Sequence, residues 1–106
     1  MRPKPTDNEP AWSRYIAEVL GGVSNVRTID GSYVDVVTST HAYEIEWIKH
    51  WKESIGQALF YGAVTGLIPG VILLLRGKPT EAIYFLRCAV ACAAAGVQLL
   101  TWQTGR

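Results

Sequence analysis

The stretch DVVTSTHAYEIEW, residues 35–47, decides the fold because it is typical of a β-hairpin. Apolar and polar residues alternate on both sides of a central Ser-Thr pair, and a period of two is the pattern of a strand with two different faces. In the second half, Tyr43, Ile45 and Trp47 share one face, and Glu44 and Glu46 share the other. The stretch predicts two antiparallel strands with carboxylates on one face.

The turn at the Ser-Thr pair sets the register of this hairpin. A loop of either two or four residues pairs Thr38 with His41, and Asp35 then lies directly opposite Glu44. Like charges that face each other on neighbouring strands, with Cβ atoms about 5 Å apart, destabilise a sheet. The hairpin itself contains no basic residue that would neutralise Asp35, Glu44 and Glu46.

Three interpretations of this acidic patch are open on the residues alone. One acid keeps its proton, as in a carboxyl pair whose two pKa values split. Alternatively, a divalent cation lies between the oxygens, and the carbonyl of Ile45 adds a ligand; hard oxygen ligands suit Mg²⁺ or Mn²⁺. In the third interpretation, the acids point to solvent and pair with Lys49 or Lys52.

The segments around the hairpin predict helices and strands in the order α-βββ-α-β-α-β. A three-strand meander followed by crossover helices implies an α/β fold with a mixed sheet and helices on its faces. Residues 1–9 are expected to form a flexible N-terminal arm, and residues 10–106 a single domain. The predicted helices span 9–22, 48–66 and 78–96, and the predicted strands 24–29, 32–38, 42–47, 70–77 and 97–103.

Composition narrows the class of protein only a little. The chain has 106 residues and a formal net charge of +1, so its overall charge indicates no particular partner. Cys88 and Cys92 are expected to be buried thiols of a reducing compartment, which favours the cytoplasm. The apolar run 58–75 is long enough for a membrane span, but the turn-forming sequence GLIPG at 66–70 interrupts it. We therefore expect no membrane segment.

The helix that follows the hairpin carries polar residues on one face. At about 100° per residue, Gln57, Tyr61 and His50 fall together and are placed to face the acidic patch. A polar glutamine and tyrosine on a helix rich in apolar residues need hydrogen-bond partners. The alternative is that Gln57 belongs only to a local hydrogen-bond network.

These features together resemble the PD-(D/E)XK nuclease superfamily, and within it the branch that carries a Q-x-x-x-Y motif. The resemblance rests on an acid in the first helix, VD at 34–35, E-I-E at 44–46 and QALFY at 57–61, in that order. The order of predicted elements also agrees with the core of that family, which has the restriction-endonuclease-like fold. The likeness covers residues 10–75 and extends in outline to the whole chain.

The resemblance implies a metal-dependent DNA nuclease with Mg²⁺ or Mn²⁺ as its cofactor. Asp35 would be the central metal ligand and Glu44 a second ligand. Glu18, on the first helix, would bind the metal directly or through water. Gln57 and Tyr61 would orient active-site groups and the DNA backbone.

The sequence departs from the family at Glu46, where most members have a catalytic lysine. Some members carry glutamate there, so the substitution does not by itself exclude activity. Lys49, one helical turn on, would reach back and take over the charge of the missing lysine. His50 is a second candidate for this role because it titrates near neutral pH.

DNA is the expected partner, and a homodimer is expected because the domain is small and the last strand would lie at a sheet edge. The second candidate function is a non-catalytic nucleic-acid-binding or assembly protein with a nuclease-like fold. The basic residues expected to bind the DNA backbone are Arg14, Arg27, Lys49 and Lys52, with Arg2 and Lys4 in the N-terminal arm.

Overall fold

The computed structural model describes residues 1–105, which fold into a five-stranded mixed sheet flanked by three helices. The strands lie side by side in sequence order; the first three are antiparallel, and the last two run parallel to the third. The elements are α1 (Glu9–Leu20), β1 (Val23–Arg27), β2 (Tyr33–Val37), β3 (His41–Trp47), a 3-10 turn (Ile48–His50), α2 (Trp51–Thr65), β4 (Ile68–Leu75), α3 (Glu81–Ala95) and β5 (Gln98–Gln103).

Helix α1 covers one face of the sheet. Its start is fixed by Asn8, whose side-chain oxygen accepts a hydrogen bond of 3.1 Å from the Ala11 N–H. Its end is fixed by Gly21, which adopts the left-handed conformation at φ 71° that glycine tolerates best. Trp12 and Ile16 are fully buried against strands β2, β3 and β4, so packing of this apolar stripe holds the helix on the sheet.

Helices α2 and α3 cover the other face, over β3, β4 and β5. The residues with which they pack on the sheet are small: Ala58, Cys88 and Cys92 contact the core that contains Val71 and Leu73. The two cysteines are free, and burial raises the pKa of the Cys88 thiol to about 12. A thiol with so high a pKa is not a nucleophile near neutral pH, in agreement with a packing role.

The predicted order of helices and strands is confirmed, and the boundaries differ in instructive places. Strand β4 begins at Ile68, two residues before the predicted start, and includes Pro69. A proline fits there because β5 pairs with β4 only from Gly70 onward, so the strand has one neighbour at Pro69 and the missing N–H is tolerated. Within residues 1–105, no helix has the length and apolar character needed to cross a membrane.

The predicted N-terminal arm makes defined contacts with the end of the chain. The Arg2 guanidinium donates to the carbonyls of Gln103 at 2.7 Å and Gly105 at 3.0 Å, and it lies 5.2 Å from the centre of the Trp12 ring. The Pro5 carbonyl accepts a hydrogen bond of 3.1 Å from Arg76. These contacts hold residues 2–5 against the ends of β4 and β5.

Candidate carboxylate site

The sheet opens between β2 and β3 after a short stretch of pairing. Val36 and Val37 are the residues of β2 that pair with β3, and Val36 lies opposite Tyr43. Continued by one residue, this register sets Asp35 opposite Glu44, as the turn predicts. Pairing between β2 and β3 ends at Val36 and Tyr43, and the two strands separate at Asp35 and Glu44.

Carboxyl groups replace strand backbone as hydrogen-bond acceptors beyond this point. The Ile45 N–H donates to Asp35 Oδ2 at 2.8 Å. The Trp47 N–H donates to Glu9 Oε2 at 3.2 Å and to Glu46 Oε1 at 3.0 Å. The N–H groups of Ile45 and Trp47 therefore bind the carboxyl oxygens of three acids instead of the neighbouring strand. Glu44, which interacts with Asp35, is the fourth acid at the opening.

The acidic side chains also hydrogen-bond to one another, which requires protons. Burial, followed by the charge of Asp35 and a hydrogen bond to it, raises the pKa of Glu44 from 4.5 to about 9. Burial, followed by a hydrogen bond to Glu9 and its charge, raises the pKa of Glu46 from 4.5 to about 8. Burial also raises the pKa of Asp35, against the opposing effect of its bonds to Ile45 and Glu44.

Shared protons therefore reduce the repulsion among these acids in the structure, which is the first of the three interpretations above. Within the central pair, the 2.8 Å hydrogen bond from the Ile45 N–H favours the ionised form of Asp35, whereas burial and the charge of Asp35 raise the pKa of Glu44 and favour its protonated form. The solvent-exposed alternative with lysine partners is not what the structure has. Glu44 is only 7% exposed, and no cation is among the groups that shift the pKa of these carboxyls.

The acid that α1 contributes to the opening is Glu9, whereas the sequence favoured Glu18. Glu18 is exposed and lies nine residues further along the helix, about 13 Å away at 1.5 Å per residue. It lines a surface cleft with residues of the N-terminal segment. A sequence signal for Glu9 existed: Asn8 followed by Pro10 marks a helix start and makes Glu9 a first-turn residue.

Helix α2 runs back along β3 and brings a fifth acid near the opening. The charge of Glu53 contributes to the raised pKa of Glu46. Gln57, one helical turn after Glu53, has an exposed side chain. Tyr61, one turn further still, is half-buried beside Phe60.

The basic residues predicted to bind DNA lie in different places. Arg14 is exposed on α1 and lines a cavity of about 400 Å³ together with Asp35, next to the opening. Arg27 is exposed at the end of β1, and Lys52 is exposed with its Nζ 5.8 Å from the Trp51 ring centre. Of these three residues, Arg14 is the one that the structure brings beside an acid of the site.

Lys49 is exposed just after the carboxyl end of β3 and lines a second cleft, which does not include the acids that share protons. The hydrogen bonds described for Glu9, Glu44 and Glu46 do not include its amino group. That Lys49 supplies the charge of the lysine missing at position 46 therefore stays a prediction. His50 is likewise exposed.

The chemistry of the donor set fits a hard divalent cation, while its present geometry is that of hydrogen-bonded acids. Carboxyl oxygens at this density are the ligands that Mg²⁺ and Mn²⁺ prefer. Among residues 1–105, however, no group of three or more His, Cys, Asp and Glu side chains is arranged to hold a metal ion. Binding would require Glu44 and Glu46 to lose their protons and turn.

Comparison of the chain with protein-family models, with curated proteins and with solved structures finds no significant match. The functional argument therefore rests on the residues at the opening of the sheet.

Proposed function

We propose that this chain is a metal-dependent DNA nuclease of the PD-(D/E)XK type, with a restriction-endonuclease-like fold, that acts in the cytoplasm. One observation carries the proposal: four acidic side chains meet where β2 and β3 separate, and three of them come from the hairpin that resembles that family. Burying several carboxyl groups side by side destabilises a sheet. A divalent cation that displaces their protons would turn this cluster into a binding site.

Asp35 and Glu44 would hold the metal, together with the Ile45 carbonyl and, from α1, Glu9. When bound, Mg²⁺ or Mn²⁺ supplies a Lewis acid and lowers the pKa of a coordinated water. The Ile45 N–H orients the Asp35 carboxylate through its 2.8 Å hydrogen bond. Gln57 and Tyr61 would orient the DNA backbone, and Arg14, Arg27, Lys49 and Lys52 would bind its phosphates.

A non-catalytic nucleic-acid-binding or assembly protein is the second candidate, and one observation favours it. Glu46 stands where the family has its lysine, and instead of a cation it brings a buried acid whose pKa is raised to about 8. A site without that cation loses a means of stabilising charge that develops on a phosphate during attack. In this candidate, the fold and the basic residues serve to bind nucleic acid, and no bond is cleaved.

We extend the proposal to a homodimer, supported by the position of β5. This strand lies at the edge of the sheet, so its outer backbone groups can pair with another strand, apart from the Gln103 carbonyl, which accepts from Arg2. Sedimentation equilibrium at several protein concentrations tests the dimer. A monomer at every concentration would remove this part of the proposal without touching the nuclease.

The nuclease is tested by incubating supercoiled and linear DNA with the protein and either Mg²⁺ or Mn²⁺. We expect metal-dependent cleavage that EDTA abolishes and that Asp35→Asn lowers at least about 1,000-fold. Asp35→Asn keeps an oxygen that can accept from the Ile45 N–H, so the variant is suited to fold. Thermal melting checks folding, and an exposed acid outside the site gives the matched control, Glu18→Gln.

Two results would separate the candidates. If the wild-type protein is stabilised by Mn²⁺ but cuts no DNA, the acids bind metal and the reaction is absent, which supports the non-catalytic candidate. If Mn²⁺ shifts neither the melting temperature nor the cleavage of DNA, the metal site itself is refuted.

A further inference from the structure

A second polar site lies at the carboxyl ends of the parallel strands β3 and β4. It is a cleft of about 250 Å³, and its charged and aromatic walls include Lys49, Arg76, Lys78, Trp47 and Tyr84. We call these five residues and the space between them the basic cleft. Its cations come from three separate parts of the chain: the turn after β3, the end of β4 and the loop before α3.

The positive charge of the basic cleft is not cancelled by the acid that lines it. Glu81 is buried, with 8% of its surface exposed. Its Oε2 accepts from the Arg76 N–H at 2.8 Å, and its Oε1 accepts from the Gly77 and Lys78 N–H groups at 2.9 Å each. Its carboxylate oxygens are thus directed at backbone, and one formal negative charge stands against three positive ones.

Arg76 is held in a fixed orientation with donors to spare. Its guanidinium lies 3.8 Å from the centre of the Trp47 ring, close enough for a cation–π contact. The hydrogen bond described for this guanidinium goes to the Pro5 carbonyl, and a guanidinium has five N–H donors. A flat, pre-oriented guanidinium with unused donors is suited to binding a phosphate.

The basic cleft and the carboxylate site are linked through Trp47. The backbone N–H of this residue binds Glu9 and Glu46, and its ring lies beneath Arg76. A nucleic-acid strand bound at the acids would need to continue over the surface, and the cleft begins one residue away along β3. Cations beside an aromatic side chain are what proteins use to bind single strands, by phosphate contact and base stacking.

We propose that the basic cleft binds single-stranded nucleic acid, with Lys49, Arg76 and Lys78 on consecutive phosphates and a base against Tyr84. A single strand is favoured over a duplex because paired bases are stacked inside the helix and do not present a face to a protein side chain. This inference rests on the proposed function for its direction: the strand that enters the cleft is the one that passes the carboxylate site.

The test measures binding of a fluorescein-labelled single-stranded oligonucleotide by anisotropy, in EDTA so that no cleavage occurs. We expect Lys49→Ala and Lys78→Ala each to weaken binding about fivefold at low salt. Each should also lower the slope of log affinity against log salt by about 0.7, the value for one phosphate contact to a single strand. The matched control is Arg87→Ala, which removes an exposed charge of α3 outside the cleft and should change affinity less than about twofold.

The assignment would be overturned by unchanged affinity in both lysine variants, by an equal loss in the Arg87 control, or by tighter binding of a duplex of the same sequence. The lysine side chains are exposed, so folding is expected to survive, and melting curves check it. If any of these results is obtained while the wild-type protein still cuts DNA, the cleft is refuted and the nuclease is not. Cleft-dependent binding by a wild-type chain that never cuts would refute only the nuclease.

Discussion

Glu9 and Glu18 lie on the same helix and differ in what their carboxyls contact. Glu9 accepts from the Trp47 N–H and affects the pKa of Glu46, whereas Glu18 is exposed two and a half turns away. If Glu9 is the helix acid of the metal site, Glu9→Gln should lower metal-dependent DNA cleavage about 10- to 100-fold, because a neutral amide binds a divalent cation poorly.

The matched variant for this prediction is Glu18→Gln, which should cleave DNA within about twofold of the wild-type rate. Plasmid cleavage at saturating Mn²⁺ measures both variants. The reverse ranking, with Glu18 important and Glu9 dispensable, would contradict the assignment and favour the residue that the sequence suggested.

The buried acids make a prediction about pH. In the folded chain the pKa of Glu44 is raised to about 9 and that of Glu46 to about 8, first of all by burial, whereas the usual value for both is 4.5. Between pH 4.5 and the raised pKa values of about 8 and 9, the folded state binds more protons than the unfolded state. The free energy of unfolding therefore falls as pH rises through this range. Without divalent metal, the melting temperature should be higher at pH 5 than at pH 9.

Thermal melting in EDTA across this pH range measures the effect. Glu44→Gln removes the group with the largest raised pKa and should flatten the profile, since glutamine does not titrate. A wild-type melting temperature that is constant or rises between pH 5 and pH 9 would show that these carboxyls are already ionised in the folded chain.

At the scale of elements, the start of α3 depends on one buried side chain. Glu81 accepts hydrogen bonds from three successive backbone N–H groups, of Arg76, Gly77 and Lys78, and so closes the loop between β4 and the helix. Glu81→Ala leaves three donors without a protein partner and should lower the free energy of unfolding by about 2–3 kcal/mol.

The conservative variant Glu81→Gln keeps a single side-chain oxygen and should cost about half as much. Denaturant unfolding at pH 7 measures both variants. Equal stability of wild type and Glu81→Ala would mean that water satisfies these N–H groups and that the side chain does not hold the loop.

The helices and strands could be predicted because their signals are local. Alternating residues give β2 and β3, the Ser-Thr turn gives their register, and Gly21, Gly66 and Gly96 end the three helices in left-handed conformations. The start of β4 was missed because the tolerance for Pro69 depends on where β5 begins, which is a property of the assembled sheet.

The site could be predicted only in the part that one hairpin encodes. Asp35, Glu44 and Glu46 follow from strand register, whereas Glu9 follows from the angle at which α1 crosses the sheet, and no pattern within one element gives that angle. The surroundings of Lys49 likewise depend on tertiary packing and could not be predicted from a local pattern. Lys49 projects from the turn after β3 toward Arg76 and Lys78, a neighbourhood that exists only after β4 and α3 have packed.

At the scale of the whole molecule, the two ends of the chain are joined through Arg2. Its guanidinium bonds to the carbonyls of Gln103 and Gly105 and covers the ring of buried Trp12. Arg2→Ala should lower the free energy of unfolding by about 1–2 kcal/mol, because two charge-assisted hydrogen bonds and a cation–π contact are lost and part of the cost is recovered by solvation.

Lys4→Ala is the control for this prediction, since it removes a charge from the same segment where the side chain is exposed. It should change stability by less than about 0.5 kcal/mol. Thermal or denaturant unfolding measures both. If the two variants behave alike, the N-terminal segment does not hold the end of the chain.

The separation of β2 from β3 also gives the molecule two built-in spectroscopic reporters. The amide protons of Ile45 and Trp47 point at carboxyl oxygens rather than at a neighbouring strand. Their ¹H and ¹⁵N chemical shifts therefore respond directly to the charge on Asp35, Glu9 and Glu46. A titration with acid, or with Mg²⁺, which is diamagnetic, can be followed at these two resonances. None of the acids of the site has to be replaced for this measurement.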